Sequence, residues 1–195
     1  WSATGGPHSP GQGRVEGHQS EGYDATRLEQ PLDATVRHTI DGTDTVYEAR
    51  GERDHSWGPR FWNMEWTFLA LSNAERRCQF VEVGFKGMDP ILLGYLSMGG
   101  HTSELTQVAM DLVDHDDPRQ PFSGRVAIHT EEVVTAGSIE VLAWCDMDVS
   151  HVLTPPRASD YRRSLIRLTP DDASVEPLLG WLETNRLLPG DPDKP

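Results

Sequence analysis

Apolar and polar residues alternate with a period of two along most of the chain, and turn residues interrupt the alternation about every ten positions. Period two marks strands with one buried face, so this spacing predicts a succession of short antiparallel strands. Residues 33–40 and 45–50 alternate on either side of Asp41-Gly42-Thr43-Asp44, a hairpin signal because Asp-Gly supplies the positive φ angles of a tight turn. A strand through about Ser72 follows, then a polar turn over 72–77 and strands over 78–85 and 91–98, the last ended by Gly99-Gly100. Residues 103–114 predict one long strand with Val108, Met110 and Leu112 on one face. Further strands are expected over 124–129, 138–146, 149–153 and 164–168, with Ile139, Val141, Ala143 and Cys145 sharing a side. Residues 175–188 fit a short amphipathic helix about as well as a final strand.

About ten short strands with no sustained 3.6-residue period predict an all-β fold, closed into an antiparallel barrel rather than stacked as a sandwich. Residues 1–22 hold six glycines and two prolines, with Trp1, Ala3 and Val15 as their apolar residues, too few to offset the entropy of ordering. The expected organisation is a Gly-rich arm over 1–27, a barrel domain over 28–188 and a flexible tail over 189–195.

A formal charge of −14 argues against nucleic acid as a partner, since phosphates are met by clustered Lys and Arg, and no basic run exists. Apolar runs fall far short of the ~20 residues a membrane-spanning helix needs, and no charged-then-apolar leader is present. These features predict a soluble, cytoplasmic protein without a membrane span. The chain begins at Trp1 without an initiator methionine, so a piece of a longer protein is one reading. Cys78 and Cys145 sit in apolar segments, where free thiols behave as small hydrophobes. None of the eight histidines pairs at ligand spacing, so neither a metal site nor another cofactor is expected.

Chemistry concentrates in Gly51-Glu52-Arg53-Asp54-His55-Ser56-Trp57-Gly58-Pro59-Arg60-Phe61-Trp62 and the segment that follows. In an extended chain Arg53, His55 and Trp57 project to one face and Asp54 and Ser56 to the other. Gly58-Pro59 bends or bulges the strand, and bulges recur beside active sites. Beyond it Arg60, Trp62, Met64, Trp66 and Phe68 share a face, an apolar wall suited to a bulky ligand and equally to a plain core. Asp54 is the acid candidate, His55 its relay or base, and Glu65 or Glu82 a second carboxylate. A proton donor beside aromatic faces can protonate an alkene, with the rings stabilising the resulting cation. An Asp54 that accepts backbone amides to pin the bend is the alternative.

The decapeptide Arg53-Asp54-His55-Ser56-Trp57-Gly58-Pro59-Arg60-Phe61-Trp62 resembles a signature of the family of carotenoid 1,2-hydratases (hydroxyneurosporene synthases) and AttH-like lipocalin-type proteins. Glu29-Gln30-Pro31 and Gly180-Trp181-Leu182-Glu183-Thr184-Asn185 look similar too. The resemblance implies a lipocalin-like, calycin-type antiparallel barrel, and it favours a closing strand for the last segment. It implies two such halves in tandem, the signature opening the second, so either a first half or a homodimer partner completes the assembly or the chain is a single barrel. It further implies a cofactor-independent hydratase, isomerase or cyclase acting on a hydrophobic terpenoid, steroid or polyketide-like molecule. Asp54 and His55 would be catalytic, with Arg53, Trp57, Arg60, Trp62, Met64, Trp66 and Glu82 around the substrate. A non-catalytic carrier of a hydrophobic small molecule is the other functional reading.

Overall fold

Asp41 and Gly42 have φ angles of 49° and 76° and form a two-residue turn. Positive φ at both positions matches the turn to the right-handed twist of the flanking strands, which is why Asp-Gly works there. The turn is shorter than Asp41–Asp44, because Thr43 and Asp44 already belong to the second strand. The computed structural model describes residues 2–5, 13–14, 26–57, 64–84, 89–117, 119–149 and 158–188.

Two compact units divide the chain, Trp1–Arg60 and Phe61–Pro195. In the first, β1 (Ser2–Gly5), β2 (Gly13–Arg14), β3 (Thr26–Ile40) and β4 (Thr43–Trp57) form one antiparallel sheet. Strands β3 and β4 pair along their whole length, from Thr26↔Trp57 to Ile40↔Thr43. On the far side of β3, β2 covers Thr26 and Arg27 and β1 covers Leu32 to Thr35. Pro31, which has no amide to donate, falls in the gap between them. The glycine-rich arm thus contributes two short strands, and the unit boundary lies between Arg60 and Phe61, whereas the sequence suggests one barrel over 28–188.

The second unit is a single nine-stranded antiparallel sheet. In chain order its strands are β5 (Glu65–Ser72), β6 (Arg76–Gly84), β7 (Ile91–Met98), β8 (His101–Glu104), β9 (Gln107–Asp114), β10 (Phe122–His129), β11 (Val134–Met147), β12 (Ser159–Pro170) and β13 (Leu178–Leu187). Two meanders, β5 to β8 and β9 to β13, join through one non-local ladder between β5 and β13. The segment over 175–188 is therefore a strand, and all described regular structure is strand.

Residues 103–114 are two strands, not one. At Leu105-Thr106 the chain crosses from edge strand β8 to the opposite edge strand β9. Leu105 donates its amide to Gly94 O of β7 (3.2 Å) and Thr106 donates to His129 O of β10 (2.9 Å). Those two bonds bring the sheet's edges together, so the sheet curls into a half-barrel, and no ladder joins β8 to β9 among the described residues. Leu69, Phe80, Ile128, Ile166, Leu168 and Leu182 fill the concave face.

The face of β11 changes at a register shift between Val141 and Ala143. The extra residue of a bulge reverses the alternation beyond it. Ile139 and Val141 are buried as expected, but Trp144 instead of Ala143 or Cys145 turns toward the core, and Cys145 is exposed. Both cysteines are free. The strand expected over 149–153 lies, after Val149, outside the described residues, as do Gly58-Pro59 and the tail 189–195.

Candidate functional site

Strand register lays the concave face out in rows. Neighbours Phe80↔Leu69, Leu69↔Leu182, Leu182↔Ser164 and Ser164↔Trp144 form one row across β6, β5, β13, β12 and β11. Two residues along, Glu82↔Thr67, Thr67↔Thr184, Thr184↔Arg162 and Arg162↔Asp146 form the next. A row of apolar side chains is thus bordered by a polar belt, with Arg186 and Asp160, themselves partners, one step further out. Side chains two apart on a strand stand on the same face, so the layering follows from period two in five strands held in one register.

A cavity of about 660 Å³ opens over these rows. Phe80, Phe122, Val108, Met110 and Leu112 give it an apolar side; Thr67, Thr184, Glu82, Asp160, Arg162 and Arg186 give it a polar one. Asp114 of β9 also lines it, and Ala109 and Asp111, on the alternate face of that strand, border it. The volume falls within the roughly 300–1,000 Å³ of small-molecule sites.

Arg162 is the most constrained group there. Its Nε donates to Asp146 Oδ1 at 2.9 Å, and Nη1 lies 3.6 Å from Asp114 Oδ1. Its guanidinium also sits 5.3 Å from the Trp144 ring centroid and 5.9 Å from that of Phe122. Burial pulls its pKa down, yet the bond and charge of Asp146, with the charges of Asp160 and Asp114, hold it above the ordinary arginine value. Arg186 donates to Trp66 O and Asn185 O (3.2 Å each) and to Thr67 Oγ1 (3.1 Å).

On the opposite face of β12 and β13, Tyr161 donates to Glu183 Oε2 at 2.9 Å, and Arg163 Nη2 meets Glu183 Oε1 at 2.6 Å. Burial, then the bond and charge of Glu183, push the Tyr161 hydroxyl up to about 12. This cluster holds two adjacent strands together and faces away from the cavity.

The residues singled out from sequence scatter over this framework. Glu82 lines the cavity. Met64 and Trp66 lie on the other face of β5, since Leu69 and Leu71 are its core positions and Thr67 the cavity-lining one. Met64 is buried, its carbonyl accepting Asn185 Nδ2 at 3.0 Å, and Trp66 packs on Tyr161 with ring centroids 5.7 Å apart. The anticipated aromatic wall is therefore not a wall of the cavity.

Arg53, Asp54 and His55 are exposed positions of β4 in the first unit, opposite Gln30, Glu29 and Leu28. The strand runs unbroken to Trp57, so Asp54 and His55 project to opposite faces. Trp57 ends β4, while Arg60 and Trp62 lie outside the described residues.

Thr67, Asp160, Arg162, Thr184 and Arg186 escaped notice in the sequence. Their own alternation was legible, but their convergence depends on the β5–β13 ladder, which joins residues more than a hundred positions apart. Among the described residues no three His, Cys, Asp or Glu side chains gather as a metal site, and no helix is long and apolar enough to cross a membrane.

A family model described as a domain of unknown function (DUF7064) matches residues 1–187, a span that takes in the first unit and most of the second. No curated protein and no solved structure matches the chain.

Proposed function

The chain belongs to the DUF7064 family, a domain of unknown function, and we propose from its cavity that it binds an amphipathic small molecule within the curled sheet. The observation that carries this reading is the two-sided lining: Phe80, Phe122, Val108, Met110 and Leu112 on one side, and Thr67, Thr184, Glu82, Asp160, Arg162 and Arg186 on the other. Such a lining suits a ligand whose apolar body lies on the floor and whose polar end stays at the belt. In this reading the half-barrel is a lipocalin-like container. Displacement of a neutral apolar fluorophore measures it. Met110→Arg places a charge in the apolar side from the edge strand β9, and should weaken fluorophore binding at least roughly tenfold with little change in melting temperature. Unchanged affinity would exclude the cavity as the site.

A second reading, a cofactor-independent lyase or isomerase acting on that ligand, is favoured by Glu82, a carboxylate one step from Phe80 on the same face. The decapeptide's likeness to carotenoid hydratases supports the same reading through Asp54 and His55. Because those two side chains project to opposite faces of β4, a relay between them would have to act across the strand's edge. Turnover that survives Glu82→Gln but not Asp54→Asn would assign the acid to the first unit, and the reverse would assign it to the cavity.

A further inference from the structure

The first unit leaves one long strand edge open. Strand β3 is paired on both sides, by β4 and by β1 and β2, whereas no strand lies along the other edge of β4 among the described residues. Every residue from Thr43 to Glu48 is exposed, Val46 and Tyr47 by 53% and 45%, so this part of the edge is open to solvent. Natural edge strands are kept short or are interrupted by proline, bulges or lysine. Strand β4 runs for 15 residues in one unbroken register with none of these. Its sheet also lacks an interior: from Gln30 to His55 no side chain is buried, although Leu32, Ala34 and Val36 share a face with Tyr47 and Ala49. A sheet that buries nothing is marginal by itself.

The turn fixes which backbone groups are free. In a two-residue turn the closing pair, here Ile40↔Thr43, is hydrogen-bonded across the hairpin. Thr45, Tyr47 and Ala49 therefore turn their amides and carbonyls to β3, while Asp44, Val46, Glu48 and Arg50 present theirs at the open edge. We propose that this edge pairs antiparallel with the same edge of a second copy of the chain, about a two-fold axis at Tyr47. In that register the hydrogen-bonded pairs are Val46 with the partner's Glu48 and Asp44 with the partner's Arg50, each made twice by symmetry, and the two Tyr47 side chains meet at the axis. Opposite charges then stand directly across from each other. Moving the axis one residue either way sets Asp44 against the partner's Glu48, or Glu48 against its own copy. Each axis position from Ala49 to Asp54 again opposes like charges, beginning with Asp44 against the partner's Asp54. Charge thus selects both the register and a second copy as the occupant. Existing contacts extend the row, since Thr39 donates to Asp44 at 2.6 Å and Arg50 lies 3.8 Å from Asp33. A two-fold uses the same edge on both chains, so pairing stops at a dimer. The dimer is independent of the cavity and of what it binds.

Sedimentation velocity of the full chain over a range of concentrations tests this, with about twice the mass of one chain expected at the upper end. Val46→Pro removes an outward amide without touching a β3–β4 bond, and should weaken association at least roughly tenfold. Asp44→Arg should also weaken it by setting arginines against each other, and Asp44→Arg/Arg50→Asp should restore it. In a Cys145→Ser background, Tyr47→Cys should form a disulfide between chains under mild oxidation, because the pair at the axis is the close, non-hydrogen-bonded kind with Cα atoms about 4.5 Å apart. Ala49→Cys, which faces the partner's Thr45, should crosslink at least about tenfold more slowly. Circular dichroism establishes that each variant is folded, and the charge exchange decides if Val46→Pro is not. A chain that stays monomeric throughout, a dimer that survives both Val46→Pro and Asp44→Arg, or equal crosslinking at 47 and 49 would each overturn the proposal.

Discussion

Replacing Arg162 with methionine tests how much the ion pair and ring contacts of this side chain contribute to stability. Methionine keeps an unbranched apolar stem against Phe122 and Trp144 but removes the charge. The wild-type group makes one short charge-assisted bond, Nε to Asp146 Oδ1 at 2.9 Å, a kind worth about 1.5–3 kcal/mol. Its placement over two aromatic rings adds about 0.5–1 kcal/mol. The 3.6 Å contact with Asp114, whose side chain is 88% exposed, adds little. Removing the cation also leaves Asp146, Asp114 and Asp160 facing one another. A loss of about 2–4 kcal/mol follows, and at ~2–4 °C per kcal/mol for a chain of this size the melting midpoint falls by roughly 5–12 °C. Thermal melting by circular dichroism measures that. A midpoint within about 1 °C of wild type would refute the energetic role of the ion pair.

Tyr161→Phe removes the hydroxyl bound to Glu183 and with it one source of alkaline instability. The folded-state pKa of Tyr161, about 12, lies above its ordinary value of 10.0, so the neutral form is the stabilised one. Its contribution, up to about 2–3 kcal/mol, is complete below pH ~10 and is lost as pH climbs toward ~12. Urea midpoints of the two proteins should therefore converge over that interval, and a gap that is constant with pH would contradict the assignment. Gly180→Ala should cost about 1–3 kcal/mol, because its Cβ would run into the Ala70 carbonyl and the Leu71 Cα, 3.0 Å away, in the ladder that joins the two meanders. Gly51→Ala, with nothing within 4 Å of the added carbon, is the control and should leave the melting midpoint unchanged. One thiol per native chain, the exposed Cys145, should react rapidly with a water-soluble disulfide reagent, and Cys78 should follow only on unfolding.

Strand-by-strand patterning makes the all-β class legible, and Asp41-Gly42 locates the hairpin turn, although the second strand starts at Thr43, two residues earlier than the pattern suggests. The misreadings have local causes. Alternation continues through Glu104 and Gln107 with no proline or glycine between them, so nothing in residues 103–114 marks the corner at Leu105-Thr106. What breaks the strand is a pair of backbone bonds, to Gly94 and His129, that depend on the two edges of the sheet being near each other. The bulge in β11 is hidden for a similar reason: Val141, Leu142 and Ala143 are all apolar, so the hydrophobic pattern reads the same in either phase. Size misleads about the face of β5: Trp66 and Phe68 outweigh Thr67 and Leu71, yet burial follows Thr67, Leu69 and Leu71.

Density of chemical groups along a chain and their density in space are separate properties here. The decapeptide is rich because residues with chemical potential are adjacent in sequence, yet adjacency in a strand sends Asp54 and His55 to opposite faces, and the boundary between units falls at Arg60. The cavity is assembled by the opposite rule. Each strand of the belt supplies one polar residue of an unremarkable alternating segment: Glu82, Thr67, Thr184, Arg162 and Asp146 come from five strands. Of these five only Thr184 falls in a segment that carries the family resemblance, and the two closest in sequence, Thr67 and Glu82, are separated by a turn. In a sheet that joins two meanders through a single non-local ladder, a functional row perpendicular to the strands is spread over the whole unit. A substitution in the β5–β13 ladder, such as Gly180→Ala, should therefore disturb fold and belt together, since the register that aligns Thr67 with Thr184 is the same register that builds the belt.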